Sequence, residues 1–172
     1  MIELMILYTL YKNSMTMYAI HSSIHKTFGT YSKPSFGAIK PALDRLKEEN
    51  SIEVRQKMSD GGKLSGFYTI TEKGKDKLKA LTLEPISDNP LQFQSVAAIK
   101  ISCATYLSPE SRKELFNTIK NKAYEHKIYA EEILKDDKKL DFYARIMIDN
   151  TIMEYKNFIN LVENFEKDLG KI

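Results

Sequence analysis

The chain has 172 residues, 42% hydrophobic and 28% charged, which is enough apolar material for the core of one or two small domains and no run approaching the ~18–20 apolar residues that span a bilayer. A single cysteine, Cys103, excludes an internal disulfide and fits a reducing compartment, and the apolar N-terminus MIELMILYTLYK lacks the basic region and cleavage site of a signal peptide, so a cytoplasmic protein is expected. The net charge of +3 is uneven: residues 1–81 hold 13 Lys/Arg against 8 Asp/Glu, a balance of +5, and residues 82–172 hold 13 against 15, a balance of −2, so a polyanionic partner would meet the first half.

The first helix expected, Ile2 to Tyr11, is apolar on nearly every side, so it is buried all round and part of its surface, Leu4 and Leu7 included, is expected to meet another subunit or domain. Thr16 is placed to cap a second helix in which Ile20, Ile24 and Phe28 recur at helical spacing, and Gly29 can end it in the left-handed conformation. The third element, SKPSFGAIKPALDRLKEEN, sets Ile39, Leu43, Leu46 and Asn50 on one face but holds Pro41 inside the pattern. Two starts are open for it. Ser35 can cap a helix whose first turn is Phe36-Gly37-Ala38, with Phe36 packed inward. Alternatively the helix begins at Lys40, with Pro41 in the first position and SFGAI as a loop.

After Asn50 the period changes to two: Ile52, Val54 and Met58 face one way and Glu53, Arg55 and Lys57 the other, ahead of an Asp60-Gly61 turn and the return strand FYTIT with Tyr68 and Ile70 on one face. Thr71 caps a further short helix, EKGKDKLKAL. TLEPISDNP carries two prolines and several turn formers, which divides the chain into residues 1–81, a linker at 82–90, and residues 91–172. The last part is read as wholly helical: roughly Leu91 to Leu107; a helix opening on Ser108-Pro109 with the stripe Leu115, Ile119, Ala123, Ala130, Ile133; and one starting near Asp137. That last helix carries Leu140, Ala144, Met147, Thr151, Tyr155, Phe158, Val162, Phe165 and Leu169 at alternating intervals of three and four, a coiled-coil spacing, and Ile148, Ile152 and Ile159 widen the stripe beyond one partner helix. A homodimer interface is expected there, through Met147, Thr151, Tyr155, Phe158, Val162 and Phe165 together with Leu4 and Leu7.

Three helices, a glycine-tipped hairpin and a basic bias follow the order of a winged helix-turn-helix, so the expected fold is mainly α with a small β-hairpin: a winged helix-turn-helix domain followed by an all-helical dimerisation domain. The small residues of the third helix's first turn would let its end approach double-stranded DNA closely, with free N–H groups aimed at a phosphate. Pro41 removes only the bond to the Gly37 carbonyl, where the absence of a side chain makes the distortion easy to absorb.

The run Pro34, Ser35, Gly37, Ile39, Pro41, Leu43 and the later Tyr68, Ile70, Thr71, Gly74 resemble the two signature stretches of the PadR family of bacterial transcriptional regulators. MTMYAI, through Thr16 and Tyr18, resembles the opening of that family's second helix, and YLSPESRKELF the start of its C-terminal helical domain. Met17 stands where the family often has glycine and Lys40 where it often has tyrosine, the latter adding a cation at the DNA face. The resemblance implies a homodimer on a near-palindromic operator, and the residues expected to meet DNA at the recognition helix, its approach and the wing are Tyr18, Lys33, Ser35, Gly37, Ala38, Lys40, Lys57 and Lys63. It also raises a small aromatic effector: some members sense phenolic acids or flat drugs, the drug binders by tryptophan stacking, and this chain has no tryptophan. Tyr106, Tyr124, Phe142, Tyr143 and Tyr155 could line such a pocket, although aromatic residues at helical spacing are ordinarily core.

Other chemistries find less support. His21 and His25 stand at i, i+4 but have no third ligand nearby, so no metal is expected and exposed polar helix positions are the simpler reading. Cys103 has no neighbouring cation to lower its pKa, and a small core residue is expected. No nucleophile–base set or phosphate loop is present, so no enzyme and no cofactor are expected. The alternative to a DNA-binding repressor is a winged-helix module that binds protein, against which Lys57 and Lys63 argue. The operator, the regulated genes, the identity of any inducer and the choice between repression and activation are not written in the sequence.

Overall fold

The computed structural model describes residues 1–58, 62, 64–136 and 140–169. They form two compact units, Met1–Glu84 with Gln94–Tyr106, and Pro85–Phe93 with Leu107–Ile172.

The first unit is built around helix α1 (Ile2–Lys12), in which every residue from Leu4 to Leu10 is buried. Helices α2 (Met17–Phe28), α3 (Phe36–Glu48) and α4 (Glu72–Leu83) all pack on it. Ile20, Ile24 and Phe28, then Ile39, Leu43 and Leu46, then Leu78 close one core with it. A helix enclosed by three others needs an apolar residue on every side. Leu4 and Leu7 are therefore core residues of their own chain, which corrects their expected place at a subunit interface.

Local signals set the helix ends. Thr16 Oγ1 accepts the Ala19 N–H at 3.3 Å, as its place before α2 predicts. Gly29 differs from expectation: its φ is −63°, in the right-handed region. Glycine is needed there for space, since a Cβ would lie 2.2 Å from the His25 carbonyl oxygen. Helix α3 begins at Phe36, so Pro41 does lie inside it. Asn50 ends the hydrophobic pattern of α3 by leaving the helix: at φ 59° it lets its own N–H reach the Lys47 carbonyl and Ser51 N–H reach the Leu46 carbonyl, satisfying two orphan acceptors.

Strands β2 (Ile52–Met58) and β3 (Leu64–Ile70) pair antiparallel from Ile52↔Ile70 to Met58↔Leu64. A short strand β1 (Met15–Thr16) joins the other side of β3, giving the order β1-β3-β2. Two residues are too few for an alternating pattern, so β1 carries no signal in the sequence. The Asp60-Gly61 turn lies outside the described residues. At the base of the hairpin Thr71 Oγ1 accepts the Gly74 N–H at 3.1 Å and donates to the Asn50 carbonyl at 2.8 Å, joining the ends of α3, β3 and α4.

Helix α5 (Pro90–Ser102) is divided between the units at Phe93/Gln94, and the expected linker at 82–90 contains the first changeover, at Glu84/Pro85. In the first unit Ile99 and Cys103 join the core. Cys103 is buried, and burial pushes its thiol up to about 12. Lys100, only 2% exposed, donates from Nζ to the carbonyls of Leu81 (2.9 Å), Thr82 (3.2 Å) and Glu84, a cation set on the C-terminal end of α4. Its burial lowers its pKa, against the opposing charge of Glu84.

The second unit is an antiparallel pair, α6 (Pro109–Asp136) against α7 (Phe142–Leu169). Phe116 stacks on Phe165, Lys120 pairs with Glu166 at 2.6 Å, and His126 stacks on Tyr155. Ser108 Oγ accepts the Ser111 N–H at 3.3 Å and so opens α6. Helix α7 starts at Phe142, where Asp141 Oδ1 accepts the Ala144 N–H at 2.9 Å, so Leu140 precedes the helix expected to carry it; Asp137 and the side chain of Leu169 lie outside the described residues. The buried face of α7 is Ile152, Tyr155, Ile159 and Val162, turned against its own chain. Tyr155 and Val162 thus leave the expected subunit interface, whereas Thr151 and Phe158 are half-buried and Met147 and Phe165 are exposed.

Candidate nucleic-acid interface

The turn between α2 and α3 is held from α2 by aromatic and imidazole rings. His25 Nε2–H donates to the Pro34 carbonyl at 3.0 Å and fixes the chain as it approaches α3. The His21 ring lies 4.1 Å from that of His25 and stacks on Phe36 at 3.9 Å with an interplanar angle of 11°. Tyr18 stacks on the same ring at 6.1 Å. Phe36 is 38% exposed, so it is not packed inward as expected. It belongs to a surface column that runs from α2 to the tip of α3, with Tyr18 at the outer end, 73% exposed. The two histidines are accordingly spacers that set the end of α3, a role that the H-x-x-x-H spacing alone does not show.

Around this tip the structure gathers most of the expected DNA-facing residues. Lys33, Ser35, Gly37 and Lys40 are exposed and Ala38 is half-buried. Ser35 stands at the N-cap with extended backbone, but its hydroxyl makes no capping bond; its carbonyl instead accepts the Ala38 and Ile39 N–H groups, both at 3.0 Å. A Cβ on Gly37 would meet nothing nearer than Ser35 Oγ, at 3.7 Å, so the fold itself does not require glycine at that position. Pro41 is exposed one turn further along.

The cations divide by location. At the far end of α3, Arg45 pairs with Glu3 at 2.9 Å, and Lys77 with Glu3 at 2.9 Å and with Glu49. Burial alone would raise the Glu3 carboxyl, but the hydrogen bonds and charges of Lys77 and Arg45 hold it below its ordinary value. Lys40 pairs with Asp44, whose hydrogen bond and charge raise the lysine pKa. Among the described residues Lys33 and Lys57 form no ion pair. Lys57 is exposed on the outer half of the hairpin, opposite Ser65, and Lys63 lies outside the described residues.

The aromatic residues expected around an effector are divided between the two units. Tyr106 belongs to the first unit, where its hydroxyl donates to the Leu78 carbonyl at 2.8 Å, and Phe142 and Tyr143 are exposed on α7. Tyr124 is exposed and donates to Glu163 at 3.3 Å. Only Tyr155 of that set lines the α6–α7 cavity, about 170 Å³, beside His126, Tyr129, Ile133, Ile148 and Thr151.

Residues 6–80, from α1 to α4, match the transcriptional regulator PadR-like family. No curated protein matches the chain at the sequence level. Similar solved structures include Bacillus subtilis PadR in complex with operator DNA (18% identity, 97% of this chain and 98% of that one, TM-score 0.44). They also include the PadR-like transcriptional regulator BC1756 from Bacillus cereus (18%, 97% and 94%, TM-score 0.43) and the Vibrio cholerae virulence activator AphA (15%, 99% and 99%, TM-score 0.42). That match lies over the winged-helix segment and takes in the approach to α3 (Pro34, Ser35), α3 itself (Gly37, Pro41) and the β3–α4 junction (Tyr68, Thr71, Gly74), so it is residues 6–80 that match the PadR-like family of transcriptional regulators.

Proposed function

We propose that this DNA-binding regulator acts as a homodimeric repressor, each copy placing the N-terminal turn of α3 in the major groove of one half of a near-palindromic operator. The observation that carries the reading is the first turn of α3, which has no side-chain cap and is exposed at Phe36 and Gly37 beside Lys33 and Tyr18. Such a helix end offers N–H donors and a positive dipole to a phosphate. Lys57 on the hairpin supplies a contact to the backbone beside the groove. Occupying an operator that overlaps a promoter would block transcription, which is the repressor reading, and a cytoplasmic location goes with it. For a small effector, the α6–α7 cavity is the candidate; its volume is close to that which holds a benzene ring. The protein-binding alternative is favoured by one observation, the exposed Met58 and Leu64 paired at the outer end of the hairpin.

Binding of the full-length protein to DNA upstream of its own gene, measured across salt concentrations, separates the two readings. Lys57→Ala is expected to weaken binding to all sequences alike and to flatten the slope of log K against log salt by about one unit. Unchanged affinity and slope would remove the hairpin from the DNA contact. No salt-dependent binding at all would favour the protein-binding module.

Pairing of two copies is assigned to the side of α7 opposite its buried face. Phe142, Ile146, Met153 and Leu161 recur there at near-helical spacing, all exposed, and Met147 and Phe165 flank them. The protein is expected to sediment near twice 19.8 kDa at micromolar concentration. Ile146→Asp with Met153→Asp should give a folded monomer, because both side chains are exposed in the single chain. Wild-type protein that sediments as a monomer would end the dimer reading.

A further inference from the structure

The side of α3 opposite Ile39, Leu43 and Leu46 presents Gly37, Lys40, Pro41, Asp44 and Glu48, all exposed. A carboxylate halfway along a helix that enters a groove between phosphates is repelled by them. Asp44 nevertheless stands one turn beyond Lys40, its Oδ2 2.9 Å from the lysine Nζ, and the two side chains are 64% and 55% exposed for lysine and aspartate respectively. An exposed i, i+4 pair of this kind adds little to stability, so folding does not account for the carboxylate.

The two heads form a donor–acceptor couple of a definite spacing. In the major groove a lysine ammonium donates to guanine O6 and N7, and an aspartate accepts from cytosine N4–H. Within one base pair, O6 and N4 are themselves joined by a hydrogen bond, so they lie about 3 Å apart. The Lys40–Asp44 heads have that separation. An A·T pair also sets a donor beside an acceptor, but the acceptor there is thymine O4, flanked by the C5 methyl group, whereas guanine offers the ammonium two acceptors on one edge.

We infer that Lys40 and Asp44 together read a single G·C base pair in each half of the operator, Lys40 on guanine O6/N7 and Asp44 on cytosine N4–H. The inference rests on the placement of α3 in the major groove proposed above. Asp44 then contributes selectivity more than affinity, because at a base pair whose amino group lies out of its reach its charge meets only acceptors and phosphates.

The test is selection of bound duplexes from a randomised DNA library by the full-length protein, followed by competition binding at each enriched position. The wild type is expected to enrich a G·C pair at one position per half-site, preferred about 5- to 150-fold over the other pairs. Asp44→Ala should bring that one preference close to even, keep the preferences elsewhere, and bind unrelated DNA at least as tightly as the wild type. Lys40→Ala should lose the same preference and weaken binding as well. Both side chains are exposed, so the melting temperature should not move in either variant. An Asp44→Ala protein with the wild-type preference at every position would overturn the inference while leaving DNA binding intact, and so would relaxation at an A·T position. Absence of any enrichment by the wild type would bring down the groove-binding reading and this inference with it.

Discussion

Gly37→Leu is expected to lower operator affinity by roughly 100-fold or more, about 2.7 kcal/mol, while the melting temperature holds or rises slightly. The fold has room for the change: Gly37 is exposed in α3, and a Cβ there has Ser35 Oγ at 3.7 Å as its nearest neighbour. Leucine is also the better helix former, by up to about 1 kcal/mol. DNA has no such room if the first turn of α3 lies against it, since four added carbons would hold the helix end away from the groove. Leu46→Ala provides the contrast. Leu46 is fully buried against α1, and its truncation should remove about 2–5 kcal/mol of stability, with DNA binding lost only as the protein unfolds. Fluorescence anisotropy on labelled operator, run beside thermal melts, distinguishes the two. Normal binding by Gly37→Leu would mean that the groove is read by another part of the protein.

The largest loss of stability from a single added methyl is expected at Gly74→Ala. A Cβ at position 74 would lie 2.0 Å from the Ser51 carbonyl oxygen and 2.7 Å from Ile70 Cγ1. The carbonyl has little freedom to retreat. It accepts the Thr71 N–H at 3.1 Å, and its residue is buried directly after the left-handed Asn50. Accommodation must therefore move α4 away from the junction of α3 and β2, at about 3 kcal/mol or more. Gly66→Ala on the hairpin has a milder conflict, 3.3 Å to Val54 Cγ1, and should change stability far less. Urea melts of the two variants check the order. A Gly74→Ala protein within about 0.5 kcal/mol of wild type, the range of an ordinary surface substitution, would show that α4 can shift freely.

Residues whose partners are close along the chain could be read from the sequence. Thr16, Thr71 and Ser108 bond N–H groups three residues ahead, and the alternation of β2 reports a hairpin that pairs with its next neighbour. The order of helices and hairpin, and the family motifs on them, depend on signals of this kind, which is why the winged helix and the exposed first turn of α3 were legible. Where a residue meets something distant, the sequence showed a need without showing what meets it. The apolar surround of α1 required burial, but burial is non-directional, so Leu4 and Leu7 could have faced a second copy; the structure encloses them in α2, α3 and α4. Gly29 was expected to end α2 through a left-handed conformation, yet it and Gly74 alike are required by a backbone oxygen close to the missing Cβ. His21, His25 and Phe36 are separated by a turn of chain and become one column only when α3 folds back across α2. The sequence by itself determined the local geometry, because caps, turns and periodicity act within a few residues. Tertiary structure alone decided which surfaces face each other, because the same apolar, aromatic or charged side chain can be satisfied by many partners and packing selects one.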